Sequence, residues 1–143
     1  MNTNERTDGT SVPTVAVFGG RLAKGLAMRL SSGRAVRLLS ADRSVVESSR
    51  SAPFEARHVD YRSANLSEHV ADAAAAAVVI PDRDRIGLLI AQKLAASGTV
   101  DRILVRLNDP QYEAAFEDID CELLDFGSVL HETVESSLGP STA

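Results

Sequence analysis

Short apolar runs alternate with polar, turn-forming stretches along the chain, and the period of the apolar positions switches back and forth between strand and helix. The run Thr14-Val15-Ala16-Val17-Phe18 is β-branched and apolar throughout, as in a strand buried on both faces, and Gly19-Gly20 ends it. Over residues 22–30 the apolar positions Leu22, Leu26, Ala27 and Leu30 recur at helical spacing, and Ser31-Ser32-Gly33 stops the run. The unit then repeats. Residues 35–39 predict a second strand and 44–50 a short helix opened by Asp42 or Ser44 as its cap. After Pro53, residues 54–59 predict a third strand, 65–73 a loosely defined helix, and 75–80 a fourth strand closed by Pro81. The five alanines at 73–77 are ambiguous: alanine favours helix, while the following Val78-Val79-Ile80 favours strand, so the boundary is placed inside them.

The second half is more regular. Asp84 to Ser97 carries Ile86, Leu89, Ile90 and Leu94 on one face, a lysine late in the run and Gly98 just after it, which predicts a helix. Arg102 to Leu107 predicts a fifth strand, Asp109-Pro110 the start of a helix, residues 121–124 a sixth strand, and 128–138 a last helix ended by Gly139-Pro140. Six strand–helix repeats with short connections require a parallel crossover at each step. The predicted fold is therefore Rossmann-like α/β, a doubly wound, mainly parallel six-stranded sheet with helices on both faces. The expected organisation is a disordered tail over 1–12, one domain over 13–139, and a short tail over 140–143.

Composition narrows the function without naming it. A chain of 143 residues with 44% hydrophobic content can build a core as one domain. The single cysteine, Cys121, has no internal disulfide partner, which favours a reducing, cytoplasmic setting. No apolar run reaches the roughly 18 to 20 residues that span a bilayer. A net charge of −5 excludes a basic nucleic-acid-binding face, although a local basic pocket is compatible with it.

Function in such folds sits at the carboxyl ends of the strands. In the segment Phe18-Gly19-Gly20-Arg21-Leu22-Ala23, Gly20 takes the second position of a G-x-G-x-x-G pattern, with Phe18 at the first and Ala23 at the third. Gly19, Gly20, Arg21 and Leu22 are then candidates to meet a phosphate at a helix start. At the end of the second strand, Ser40 stands where a carboxylate would hold a ribose, with Asp42 two residues on. Ser40 with Arg43 could instead accept a 2′-phosphate. The bland alternative is that the glycines only make the turn and Asp42 or Ser44 only caps a helix.

The order of these motifs resembles the RCK or TrkA-N family, the N-terminal nucleotide-binding domain of Trk-type potassium-uptake regulators. Val59-Asp60 stands where that family closes strand three with Gly-Asp. Asp84-Arg85-Ile86-Gly87 stands at its Asp-x-x-Asn turn, and Arg106-Leu107-Asn108-Asp109-Pro110 at its Arg-x-x-Asp-Pro. Three positions are altered: Phe18 replaces the first glycine, Ser40 the strand-two acid, and Gly87 the asparagine. The resemblance implies a regulatory domain that binds NAD(H) or NADP(H), with ATP, ADP or AMP as the alternative. It places Asp60 near the adenine and ribose end. It further implies a homodimer, and a potassium transporter or channel as partner at the cytoplasmic face of the membrane.

An enzyme is not expected. Tyr61 is followed by no catalytic lysine, and His58, His69 and His131 are scattered without ligands at metal spacing, as surface histidines would be. No serine lies in G-x-S-x-G. A scaffold that has lost its ligand and binds proteins is the second reading, to which Phe18 and Gly87 point. A small NAD(P)-dependent oxidoreductase is the third.

Overall fold

The computed structural model describes residues 14–62, 65–70 and 74–140. The tail expected over 1–12, the domain start at Pro13, and residues 141–143 lie outside these. The strands are β1 (Thr14–Gly19), β2 (Ala35–Ser40), β3 (Glu55–His58), β4 (Ala74–Ile80), β5 (Arg102–Leu107) and β6 (Glu122–Asp125). The α-helices are α1 (Arg21–Leu30), α2 (Arg43–Ser48), α3 (Leu66–Val70), α4 (Asp84–Ser97) and α5 (Phe126–Leu138), with a 3-10 helix over Pro110–Phe116.

All six strands form one sheet in the order β3-β2-β1-β4-β5-β6, and every pairing is parallel. This is the Rossmann order, and the direction of winding reverses between β1 and β4. At that switch point the two crossovers leave toward opposite faces and open a crevice above the strand ends. Each central strand is covered on both sides because its side chains alternate. On β1, Val15 and Val17 pack under α1 and α2 with Leu38, Val45 and Phe54. Ala16 and Phe18 point the other way, into the larger core with Ile90 and Leu94 of α4. The alanine run resolves as strand from Ala74 onward, since pairing with both β1 and β5 outweighs intrinsic helix preference.

Two expectations change. The segment opened by Pro110 is a 3-10 helix, because it buries only Phe116 and has no apolar face to hold a longer α-helix in place. His58 and His69 are half-buried rather than on the surface: the Nδ1 of His69 is buried with no hydrogen-bond partner among the described residues, and its carbonyl accepts from Arg37.

α5 differs from the other helices. It begins two residues earlier than its apolar period indicated, buries none of its residues, and leaves Phe126, Val129, Leu130, Val134 and Leu138 exposed. On the nearby strands, Leu104 and Leu124 face away from the larger core and are only half-buried. No helix among the described residues is long and apolar enough to cross a membrane.

Candidate functional site

A crevice of about 750 Å³ lies over the β1/β4 switch point. Its walls are the β1–α1 turn, the end of β2, Tyr61 after β3, the β4–α4 turn, and Arg106 near the end of β5.

The β1–α1 turn is built on Gly19. Its φ is +151°, and a Cβ there would stand 2.3 Å from the Ile80 carbonyl oxygen and 2.8 Å from the Ala23 Cβ. β1 and β4 therefore approach as closely as a bare backbone allows, and Ala23 seats α1 against that contact. Gly20, the N-cap of α1, is different: a Cβ would meet nothing within 4 Å. Phe18 does not obstruct the crevice. It is fully buried beneath the turn against Tyr61, with ring centroids 6.3 Å apart.

Of the residues singled out from the sequence, Gly19, Gly20, Arg21, Leu22, Ser40 and Asp42 line the crevice together. Arg43 opens α2 on the exposed surface, and Asp60 is exposed after β3, where one carboxylate oxygen accepts the Arg62 N–H at 3.0 Å; neither is in the lining. Ser40 is buried, and its Oγ accepts the Asp42 N–H at 3.1 Å. Asp42 caps α2, taking the Ser44 N–H at 2.9 Å and the Ser44 hydroxyl at 2.6 Å. These bonds, led by the hydroxyl and helped by Arg21, hold its carboxyl below the usual range.

Tyr61, Asp82, Arg83 and Arg106 also line the crevice. Tyr61 donates to the Leu39 carbonyl at 3.2 Å, and burial pushes its hydroxyl up to about 12. Arg106 Nε donates to Asn108 Oδ1 at 2.6 Å, while its guanidinium lies over the Phe126 ring, 4.8 Å from the centroid. Three arginines thus surround the crevice in an acidic chain. Two of them sit at helix starts: Arg21 is the first residue of α1, and Arg83 is the N-cap of α4. A cation there opposes the helix dipole, and neither start has a side-chain cap. That placement is the signal in the sequence that could have found Arg83.

The β4–α4 turn is closed by the chain itself. Asp84 is buried, and its two oxygens accept the Asn108 N–H at 2.7 Å and the Asp109 N–H at 2.8 Å. Asn108 Nδ2 in turn donates to the Pro81 carbonyl at 3.1 Å. The two motifs read after strands four and five therefore clamp each other. Gly87 has its own reason: a Cβ would come within 2.8 Å of Pro81 Cγ, so an asparagine cannot fit beside this proline without displacing it.

An adenine nucleotide is the group this fold implies, and the residues present fit one. The uncapped α1 start and three guanidiniums offer donors and charge to phosphates. Gly20 leaves open space for their approach. Among the described residues no cluster of three or more metal-ligating side chains occurs.

No family model matches the sequence, and no curated protein matches it. Solved structures match the fold. The NAD(P)-binding domain of an exopolyphosphatase-related protein from Archaeoglobus fulgidus superposes with a TM-score of 0.74 at 18% identity, over 87% of this chain and 96% of that one. The TrkA-N domain of the inner membrane protein ybaL from Escherichia coli gives 0.68 at 14% identity, over 89% and 98%. The GsuK channel bound to NAD gives 0.68 at 11% identity, over 86% of this chain but 23% of that one. The chain has the Rossmann-like fold of the TrkA-N and RCK domains, the fold that its strand-end motifs implied.

Proposed function

We propose that this protein is a nucleotide-responsive regulatory domain that holds NAD(H), or another adenine nucleotide, over the β1/β4 switch point. The observation that carries this reading is the pair of uncapped helix starts, α1 and α4, each bearing an arginine on the crevice where the helix dipole alone would disfavour it. A phosphate between Arg21, Arg83 and Arg106 would reverse that penalty. Gly20, Arg21 and Leu22 would meet the phosphates, with Ser40 and Asp42 toward the ribose and Arg43 and Asp60 at its periphery. Binding and response are the chemistry proposed for it.

The likeness to a TrkA-N domain of an inner membrane protein and to an NAD-bound channel supports a membrane-protein partner; potassium transport at the cytoplasmic face comes from the resemblance of the strand-end motifs. A second copy of the chain is the occupant proposed for α5. Its exposed stripe has no partner among the described residues, while Leu104 and Leu124 at the same end of the sheet are half-covered, so two copies exchanging α5 would bury both.

The test is calorimetric titration of the protein with NAD⁺, NADH, NADP⁺, NADPH, ATP, ADP and AMP, with sedimentation to give the assembly state. Saturable binding of one of them, lost when Arg21 is replaced by Glu, is the expected result. No binding by any nucleotide would refute the reading and favour a ligand-free scaffold.

A further inference from the structure

Arg106 belongs to two parts of the molecule at once. It lines the crevice, and its guanidinium carbon lies over the ring of Phe126, the first residue of α5, 4.8 Å from the centroid. Its position is fixed at two points, the ring beneath it and Asn108 Oδ1 beside its Nε. Asn108 is itself anchored to Pro81 and Asp84, at the end of β4 and the start of α4. A guanidinium stacked on a ring keeps its in-plane N–H groups free, and among the described residues the Nη groups of Arg106 have no partner.

We propose that Phe126 is a positioning residue for anion binding: it holds Arg106 edge-on to the crevice, and a phosphate bound there in turn secures the root of α5. The inference rests on the nucleotide reading and adds to it the route by which occupancy reaches the docking helix. α5 buries no residue of its own, and the Arg106–Phe126 contact ties its first residue to β5. Because linkage is reciprocal, whatever α5 contributes to ligand affinity, the ligand contributes to the attachment of α5.

The experiment compares wild type, Phe126→Leu and Phe126→Tyr, with pyrophosphate and NADH as probes. Affinity is read by calorimetry and the amides of residues 126–138 by hydrogen exchange. Leucine keeps most of the apolar bulk and loses the ring, so affinity is expected to fall roughly threefold, the scale of an exposed cation–π contact. Tyrosine should restore it, and ligand should slow exchange at the start of α5 in wild type and Phe126→Tyr but not in Phe126→Leu. In an Arg106→Gln background, Phe126→Leu should have no further effect on affinity. Wild-type affinity in Phe126→Leu, or tighter binding, would overturn the proposal, as would identical α5 exchange with and without ligand. Absence of binding to the wild type would instead overturn the nucleotide reading, and this inference with it.

Discussion

Five helices that start at the carboxyl edge of the sheet, α3 set aside, fall into two groups. α2, the 3-10 helix and α5 each begin on an aspartate whose carboxylate takes a backbone N–H from the first turn: Asp42 from Ser44, Asp109 from Gln111, and Asp125 from Ser128. α1 and α4, which flank the switch point, begin on Gly20 and Arg83 with no side-chain cap. Orphan N–H groups at a helix start need an acceptor, and the chain supplies one everywhere in this comparison except at the crevice. Helix starts that serve stability are thereby separated from helix starts left for a ligand. The two crevice corners differ again within the second group. The β1–α1 corner is open, whereas the β4–α4 corner is tied to the end of β5 by Asp84.

The largest effect is expected where the open corner is held together. Gly19→Ala places a methyl against the Ile80 carbonyl at a positive φ, combining backbone strain with overpacking. It should cost about 4 kcal/mol in chemical denaturation. A loss under about 1 kcal/mol would mean that the close approach of β1 and β4 is not what fixes this corner. Next comes the clamp. Asp84→Asn keeps one acceptor but turns an amide NH₂ toward a backbone N–H, so about 2 kcal/mol should be lost. A neutral result would place the clamp among features that can be removed without harm.

The fold was legible in the sequence because the alternation of periods is strong where burial is strong. The run from Asp84 to Ser97 and the strand from Arg102 to Leu107 match α4 and β5 residue for residue. The weakly periodic segment after Pro110 did not show its 3-10 form. At the site, the glycine turn and the end of β2 were readable as motifs, but the jobs of the two glycines were not. The close approach that needs Gly19 depends on Ile80, sixty-one residues away in the chain. Asp82 and Tyr61 join the crevice only through sheet order, which local patterns do not encode. Asp84 matches a family motif, yet it holds β5 rather than facing the crevice.

Beneath the open corner, Tyr61 offers a pH test. Its pKa is pushed up to about 12 by burial, from an ordinary value of 10.0. The neutral hydroxyl therefore favours the folded state: that stability is fully present below pH 10.0 and is lost as pH rises through about 12. The contribution is about 3 kcal/mol. Denaturation midpoints of the wild type should fall across this window, and those of Tyr61→Phe should fall less. Parallel pH profiles for the two proteins would contradict the assignment.

The smallest effect on stability belongs to the substitution that most sharpens the comparison. Gly20→Asp gives α1 the kind of cap that α2, the 3-10 helix and α5 already have, at a position where a Cβ meets nothing. Aspartate is a better N-cap than glycine by only a few tenths of a kcal/mol, so the thermal midpoint should rise slightly or stay where it is. The same carboxylate would occupy the N–H groups proposed for phosphate and add a negative charge beside it. Nucleotide affinity should therefore fall at least tenfold, a loss of about 1.4 kcal/mol in binding with none in folding. Unchanged affinity would mean that the missing cap at α1 is an accident of sequence. A fall in both folding and binding would mean that Gly20, like Gly19, is held by the fold.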